Sequence, residues 1–479
     1  SLKSDFEQLE LKGYDFSNLF LEGEIVNGKG DIDFNFKDEN LNVKTNTKVD
    51  LDSLNSKIGL NLNLIGADLY ALDVTREDIK VALKMNADFT GSPEDFALKA
   101  KLSEGIAIYE NEQYQMGDVD LTTRIGKTET DVTIKSNFLN GLLKSNTAPD
   151  KLITALQRQF KNYFETTQGS DTIPDPIKLE VDMALTPVPI LTNVFLRGVE
   201  RLDSVNLKAD FDAVTKNLNA KLYMPSLTYN GSSVDSLNVS VNGNATDLSF
   251  SAGLSDLVSD PFHIKKTYFE GNLKNKELLL DFVSYDNEEK LVHIASEMAL
   301  ENDTVKLHIN PSELVLNKKE WSIPQDNRIF IGEKLLNFEN VILSREAQEL
   351  RLSNTLAGIE KEHIGVTFDN FKVQTFLSLF NPDEALASGL VEGKFVIENP
   401  FEAAGIVANF TINTLEVMQN PLGTLSLDAA SKGQGNYDFN LALKDGGVDV
   451  DLKGDYAAAE NGAKLNLDLD MNKLELKVL

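Results

Sequence analysis

Apolar residues recur at every second position over most of this chain, and that period decides the fold class. Leu60, Leu62 and Leu64 alternate with Asn61 and Asn63, and Ile32, Phe34 and Phe36 alternate with Asp33 and Asn35. The pattern returns in Tyr437, Phe439, Leu441 and Leu443, in Val448, Val450 and Leu452, and in Leu465, Leu467, Leu469 and Met471, with Asp, Asn or Ala between them. Successive side chains of an extended strand point to opposite faces, so each run has one apolar and one water-facing side. Such strands belong to antiparallel sheet, because parallel strands are covered on both faces and read as continuous apolar runs. Asn27-Gly28, Asn230-Gly231, Asp445-Gly446-Gly447 and Asn461-Gly462 separate the runs as turns. At Asn472-Lys473 two polar residues stand together and the apolar parity moves to Leu474, Leu476 and Val478, which predicts a bulge or turn.

Helical spacing is confined to three places. Leu152, Leu156, Phe160 and Phe164 follow Pro149-Asp150 at intervals of four, joined by Ile153 and Tyr163, with Asp150 as the expected N-cap. Val373, Phe376, Leu377 and Phe380 form a shorter stripe that Asn381-Pro382 stops, and Ile190, Leu191, Val194 and Phe195 form a third. Helices of this kind plug the end of a sheet or cover its edge.

The 479 residues would ordinarily divide into several compact domains. No Ser/Gly linker separates them, and the best seams are the helix and the Pro-rich stretch Ile173–Ile190. The expected division is a β segment over 1–145, a helix-containing seam over 146–200, a middle β segment over 201–370 and a last one over 371–479. With strands running on without a break, one elongated sheet is the expected arrangement, each strand touching only its neighbours.

Charge and composition remove several functions. Against 46 Lys and Arg stand 75 Asp and Glu, a net charge of −29, which disfavours nucleic acid and flat docking on an anionic membrane. The absence of Cys excludes disulfides, Cys-ligated zinc, iron–sulfur clusters and thiol catalysis. Met183–Leu196 is the longest uncharged stretch, but it holds Pro187 and Pro189 and is shorter than the roughly 20 residues of a spanning helix. Ser1 begins no basic and apolar leader, and Leu474–Leu479 stops in mid-pattern, so the sequence reads as an internal piece of a longer protein.

Chemical motifs are equally sparse. Gly23 to Lys29 has phosphate-loop spacing, but Gly30 stands where a hydroxyl should hold magnesium, and strand residues follow instead of a helix. His263, His293, His308 and His363 lack metal-site spacing. Asp468-Leu-Asp470-Met-Asn472 resembles the start of a calcium loop, yet Lys473 replaces the required Gly. No catalytic constellation emerges, and neither a cofactor nor a metal is expected. What remains is an apolar face built from Leu, Ile, Val, Phe, Ala and Met, which a second sheet, closure into a barrel or lipid chains could cover.

A succession of stretches carries a family resemblance. It runs from Leu314-Val-Leu-Asn-Lys-Lys-Glu-Trp321 to Asn327, through Ile342-Leu-Ser344 and Gln348 to Leu352, then Phe376–Phe380, Ser388-Gly389 to Pro400 and Asn420-Pro-Leu-Gly to Leu427. Upstream, Ser136 to Gly141 precedes the amphipathic segment that ends at Tyr163-Phe164. In this order the sequence resembles the TamB family, the translocation and assembly module subunits of Gram-negative bacteria within the AsmA-like group. The resemblance implies a long curled antiparallel sheet with an open hydrophobic groove, a β-taco, in the periplasm. It implies a non-enzymatic phospholipid conduit between inner and outer membranes, linked to outer-membrane protein assembly. It also implies an inner-membrane anchor and a TamA-type barrel partner, both engaged by regions outside this sequence.

On that reading the groove would be lined by Phe34, Phe36, Leu60, Leu62, Leu64, Phe439, Leu441, Leu443, Leu465, Leu467 and Leu469, meeting phospholipid acyl chains. Leu152, Leu156, Phe160 and Phe164 would plug its mouth. The alternatives are a scaffold or chaperone for outer-membrane proteins and an adhesive β-repeat stalk, in which the same residues are dry core between two sheets.

Overall fold

The computed structural model describes residues 2–52, 55–164, 176–301, 303–402, 404–433, 435–459 and 462–475 apart from 12 and 13, and not the side chains of 2–19, 164 and 459. Strands make up 69% of the chain and helices 7%. The strand pairings among the described residues are antiparallel, as the alternation requires. The chain forms two compact units, Ser1–Thr246 and Asp247–Leu479.

In the first unit, hairpins succeed one another from Leu2–Leu11 to Ser232–Gly243. Asn27 and Gly28 take φ of 52° and 80° and join Val26 to Lys29 as a tight turn. Positive φ at both central positions gives the turn a twist that matches the strands, and Asn and Gly tolerate it best. Helix α1 (Pro149–Phe164) crosses from one strand to the next and packs Leu152, Ala155 and Leu156 on Ile177, Leu179, Phe211, Leu218 and Val241. Asp150 lies in its first turn, not at the N-cap, because the helix already begins at Pro149. The stretch Ile190–Phe195 is a π-helical turn whose Ile190 and Val194 pack on Ile79 and Ala107.

The second unit has one ladder of strands from Leu248–Ser259 to Leu335–Glu339 and a nine-stranded sheet from Val341–Arg345 to Gly462–Leu474. Between them lies a hydrophobic core, with Leu291, Val292, Leu316, Trp321, Val341 and Phe371 all buried. The Trp321 and Phe371 rings are 5.7 Å apart. Asn327 is fully buried at 0% exposure and satisfies itself on the chain: its amide donates to Ile309 O and Pro324 O, and its Oδ1 accepts from Ile309 N. Helix α2 (Gln374–Leu377) is a single turn beside this core.

A charged clasp fastens the turns of the same unit. Asp286 accepts from Lys265 and Lys318, and Lys265 also donates to Asp383 in the loop after α2. The hydrogen bond from Lys265, then that from Lys318, holds the Asp286 carboxyl below its usual range. The same bonds hold both ammonium groups above theirs.

The expected bulge is present. Val450 pairs with Met471 and Asp449 with Lys473, leaving Asn472 as the extra residue that flips the parity. The Asn461-Gly462 turn and the run beyond Glu475 lie outside the described residues at Asn461 and from 476 onward.

Candidate functional site

Register, which the sequence alone does not display, places the apolar residues in rows that run from strand to strand. In the first unit one row passes through Gly23, Ile32, Thr47, Leu60, Ala87 and Ala100. It continues through Leu121, Ile134, Gly141, Met183, Leu207, Leu222 and Val239. A parallel row contains Ile58, Phe89, Leu98, Thr123, Val132 and Leu143. Neither row carries a charge.

The nine-stranded sheet of the second unit repeats the design. Leu343, Leu350, Phe368, Gly393, Phe410, Leu427, Leu441, Leu452 and Leu469 form one uninterrupted row. Beside it run Val366, Phe395, Ala408, Ala429, Phe439, Gly454 and Leu467. A third holds Val391, Ile412, Leu425, Leu443, Val450 and Met471.

The opposite face is mainly polar, with Val396 and Val407 as an apolar exception. Asn46 donates to Asp33, Asn219 to Asp210 and Asn466 to Asp455, each at 2.8 Å. Lys208 meets Asp182 at 3.0 Å, and Lys444 sits between Asp449 and Asp451. Hydrogen bonds to those two carboxylates raise the Lys444 ammonium above its usual range. These exposed pairs add little stability. Their effect is to keep one face solvated while the other stays apolar.

The candidate residues fall on these rows as follows. Leu60 is on the long row of the first unit, while Phe34 and Leu62 flank Thr45 on its neighbour. Phe36 and Leu64 meet through Val43, and there the packing closes: Phe36 is only 2% exposed and forms a core with Val43 on which Leu21, Leu41, Phe34, Leu62 and Leu64 all pack. Phe439, Leu441 and Leu443 are half-buried, neither sealed nor free. Leu465 stands opposite Tyr456, whose ring stacks on Tyr437 at 4.9 Å. Leu465, Leu467 and Leu469 are 53%, 55% and 57% exposed, because their strand has a described neighbour on one side alone.

The helix needs a correction. Leu152 and Leu156 dock on the sheet, but Phe160 is 43% exposed, and the buried positions are Gln159 and Tyr163. Four residues turn a helix by about 40° more than one revolution, so a strict spacing of four drifts off the contact face within two turns. The Phe164 side chain lies outside the described residues. The helix and the π-helical turn border opposite ends of the strands. Leu179 and Phe211 contact α1 near the ends that carry Ser145 and Asp212, and Ile190 and Val194 contact the ends that carry Ile79 and Tyr109.

Small residues in the rows are a second feature that the pattern of large side chains conceals. Gly141, Ala87, Ala100 and Gly454 lie among the large ones and make room for them. Their signal is positional, since only pairing reveals which ring lies against which glycine.

One cluster joins possible metal ligands among the described residues: Asp281, His293 and Glu313. His293 Nε2 lies 3.0 Å from Asp281 and 3.5 Å from Glu313, and Lys290 Nζ lies 3.0 Å from Nδ1. An ammonium has no lone pair to offer, so Nδ1 accepts and Nε2 carries the proton toward Asp281. A metal would need that same Nε2 lone pair. The cluster is therefore a hydrogen-bonded tie between strands. Compared with protein-family models and with curated proteins, the chain matches none.

Proposed function

We propose that this chain is a non-enzymatic phospholipid conduit of the TamB type, acting in the periplasm between the inner and outer membranes. The observation that supports it is the set of unbroken, uncharged rows running across successive strands, with many of their side chains half-buried. On this reading each sheet curls so that the apolar face becomes the floor of an open groove, a β-taco, and acyl chains complete its cover.

The energetics favour a continuous surface over a closed binding site. At about 0.8 kcal/mol per buried CH₂, a 16-carbon chain gains roughly 12 kcal/mol on leaving water. A carrier with one such site would release its cargo slowly. Along a row, each new contact replaces an equivalent one, so the lipid moves on a nearly level profile. The polar face keeps the assembly in solution, and a TamA-type barrel and a membrane anchor would be engaged by other regions of a longer protein.

Gentle purification of the full chain followed by lipid extraction and mass spectrometry tests the reading. Co-purifying phospholipid is expected, and its loss on replacing Leu441 by Arg would place it on the rows. A protein free of lipid after exposure to phospholipid vesicles would overturn the proposal and favour dry packing of the face.

A further inference from the structure

Helix α1 is basic in an acidic protein. It contains Lys151, Arg158 and Lys161 against the single acid Asp150, while the chain carries a net charge of −29. Lys151, Thr154, Ala155, Arg158 and Asn162 recur at helical spacing and so share a face. That face borders a cavity of about 190 Å³ whose other wall is Ile177, Phe211, Ala213 and Lys216. Among the described residues, three cations thus line the cavity and no carboxylate does. None of the three forms an ion pair among the described residues.

The walls are fixed to each other. Gln159, which is buried, donates to Lys216 O at 3.2 Å and to Asn244 O at 3.0 Å, and Tyr163 donates to the same Asn244 O at 2.8 Å. The space is many times the ~15 Å³ that one ordered water needs. Its floor continues the apolar face: from Phe211, Ala209 and then Leu207 follow on the same side of the strand, and Leu207 is a member of the long row.

We propose that this cavity holds the phosphate of a phospholipid headgroup with net negative charge, while the acyl chains lie over Ala209 and Leu207 on the rows. Lys151, Arg158 and Lys216 supply charge-assisted hydrogen bonds to the phosphate oxygens, and the Asn162 amide supplies a neutral donor. Choline or ethanolamine would bring an ammonium among three cations with no acid among the described lining residues to receive it, so the site selects against zwitterionic headgroups. The inference deepens the conduit reading and rests on it for the source of the phosphate.

The test uses the full chain incubated with vesicles of equimolar phosphatidylglycerol and phosphatidylcholine, then separated and extracted. The protein is expected to carry both lipids, with the anionic one enriched about tenfold, the ratio that one charge-assisted contact confers. Lys151→Ala, Arg158→Ala and Lys216→Ala together should leave total lipid unchanged and bring the ratio close to one. A control triple on the polar face, Lys44→Ala, Lys48→Ala and Lys221→Ala, should keep the enrichment. Lipid bound without enrichment, enrichment surviving the first triple, or its loss in the control would overturn the headgroup site and leave the conduit standing. Absence of all lipid would overturn both. Inorganic phosphate that binds the wild type and not the first triple, with no anionic enrichment in the wild type, would assign the cavity to free phosphate and contradict the lipid source.

Discussion

The ring of Phe439 lies over Gly454, its register partner on the next strand: a Cβ on Gly454 would stand 2.6 Å from Phe439 Cζ. Phe250 lies over Gly271 in the same way in the other ladder of that unit. A ring laid flat on a glycine covers backbone without rising from the sheet, so the row stays low where it passes an aromatic residue. Gly454→Ala should therefore destabilise the second unit by about 1–3 kcal/mol, the usual cost of overpacking. Urea unfolding measures it, and adding Phe439→Leu should restore part of the loss.

Helix α1 gives a paired prediction. Leu152 is buried against Phe211 and Leu218, whereas Phe160 faces away from that core. Leu152→Ala should cost about 2–4 kcal/mol. Phe160→Ala should remain within about 0.5 kcal/mol of the wild type. Denaturant titration of the full chain, with hydrogen exchange of residues 149–164 as the local readout, distinguishes the two.

The Lys265–Asp286–Lys318 clasp sets a pH dependence. Asp286 has a depressed carboxyl, so its contribution is complete above the ordinary carboxylate value of about 4 and disappears as pH falls through the depressed one. The two lysines are shifted up, so their contribution is complete below their ordinary value of about 10.4 and disappears as pH rises through the raised ones. Asp286→Asn should lower stability by about 2 kcal/mol across this plateau. The gap between variant and wild type should close as the solution is acidified, which chemical denaturation at a series of pH values would record.

Parity supplies a further comparison. Leu441 lies on the apolar row and Asn440 on the polar face of the same strand. Leu441→Arg should abolish most lipid loading with the circular dichroism of the sheet preserved, and Asn440→Arg should change neither. Unfolding of the Leu441 variant would indicate that the residue is core between two sheets.

The fold class was legible because a period of two leaves few alternatives. Leu60 through Leu64 and Leu465 through Met471 alternate without interruption, and the misplaced parity at Asn472 located its bulge. The burial of Phe36 was not legible, since its alternation matches that of Phe34, and it comes from the convergence of Val43, Leu41, Leu21, Leu62, Leu64 and Phe34 itself. Phe160 was misplaced because spacing by four approximates 3.6 for two turns and then drifts. The cavity between Arg158 and Lys216 joins residues distant in sequence, and a helix docking across strands leaves no local pattern that could announce it.

The most direct test of the conduit is site-specific photocrosslinking along one row. Photoreactive residues at Leu60, Leu441 and Leu467 should capture phospholipid in cells, and the same probes at Asn61, Asn440 and Asp468 on the opposite parity should capture none. Crosslinks to neighbouring strands alone at Leu60, Leu441 and Leu467, or equal lipid capture on both parities, would contradict the account.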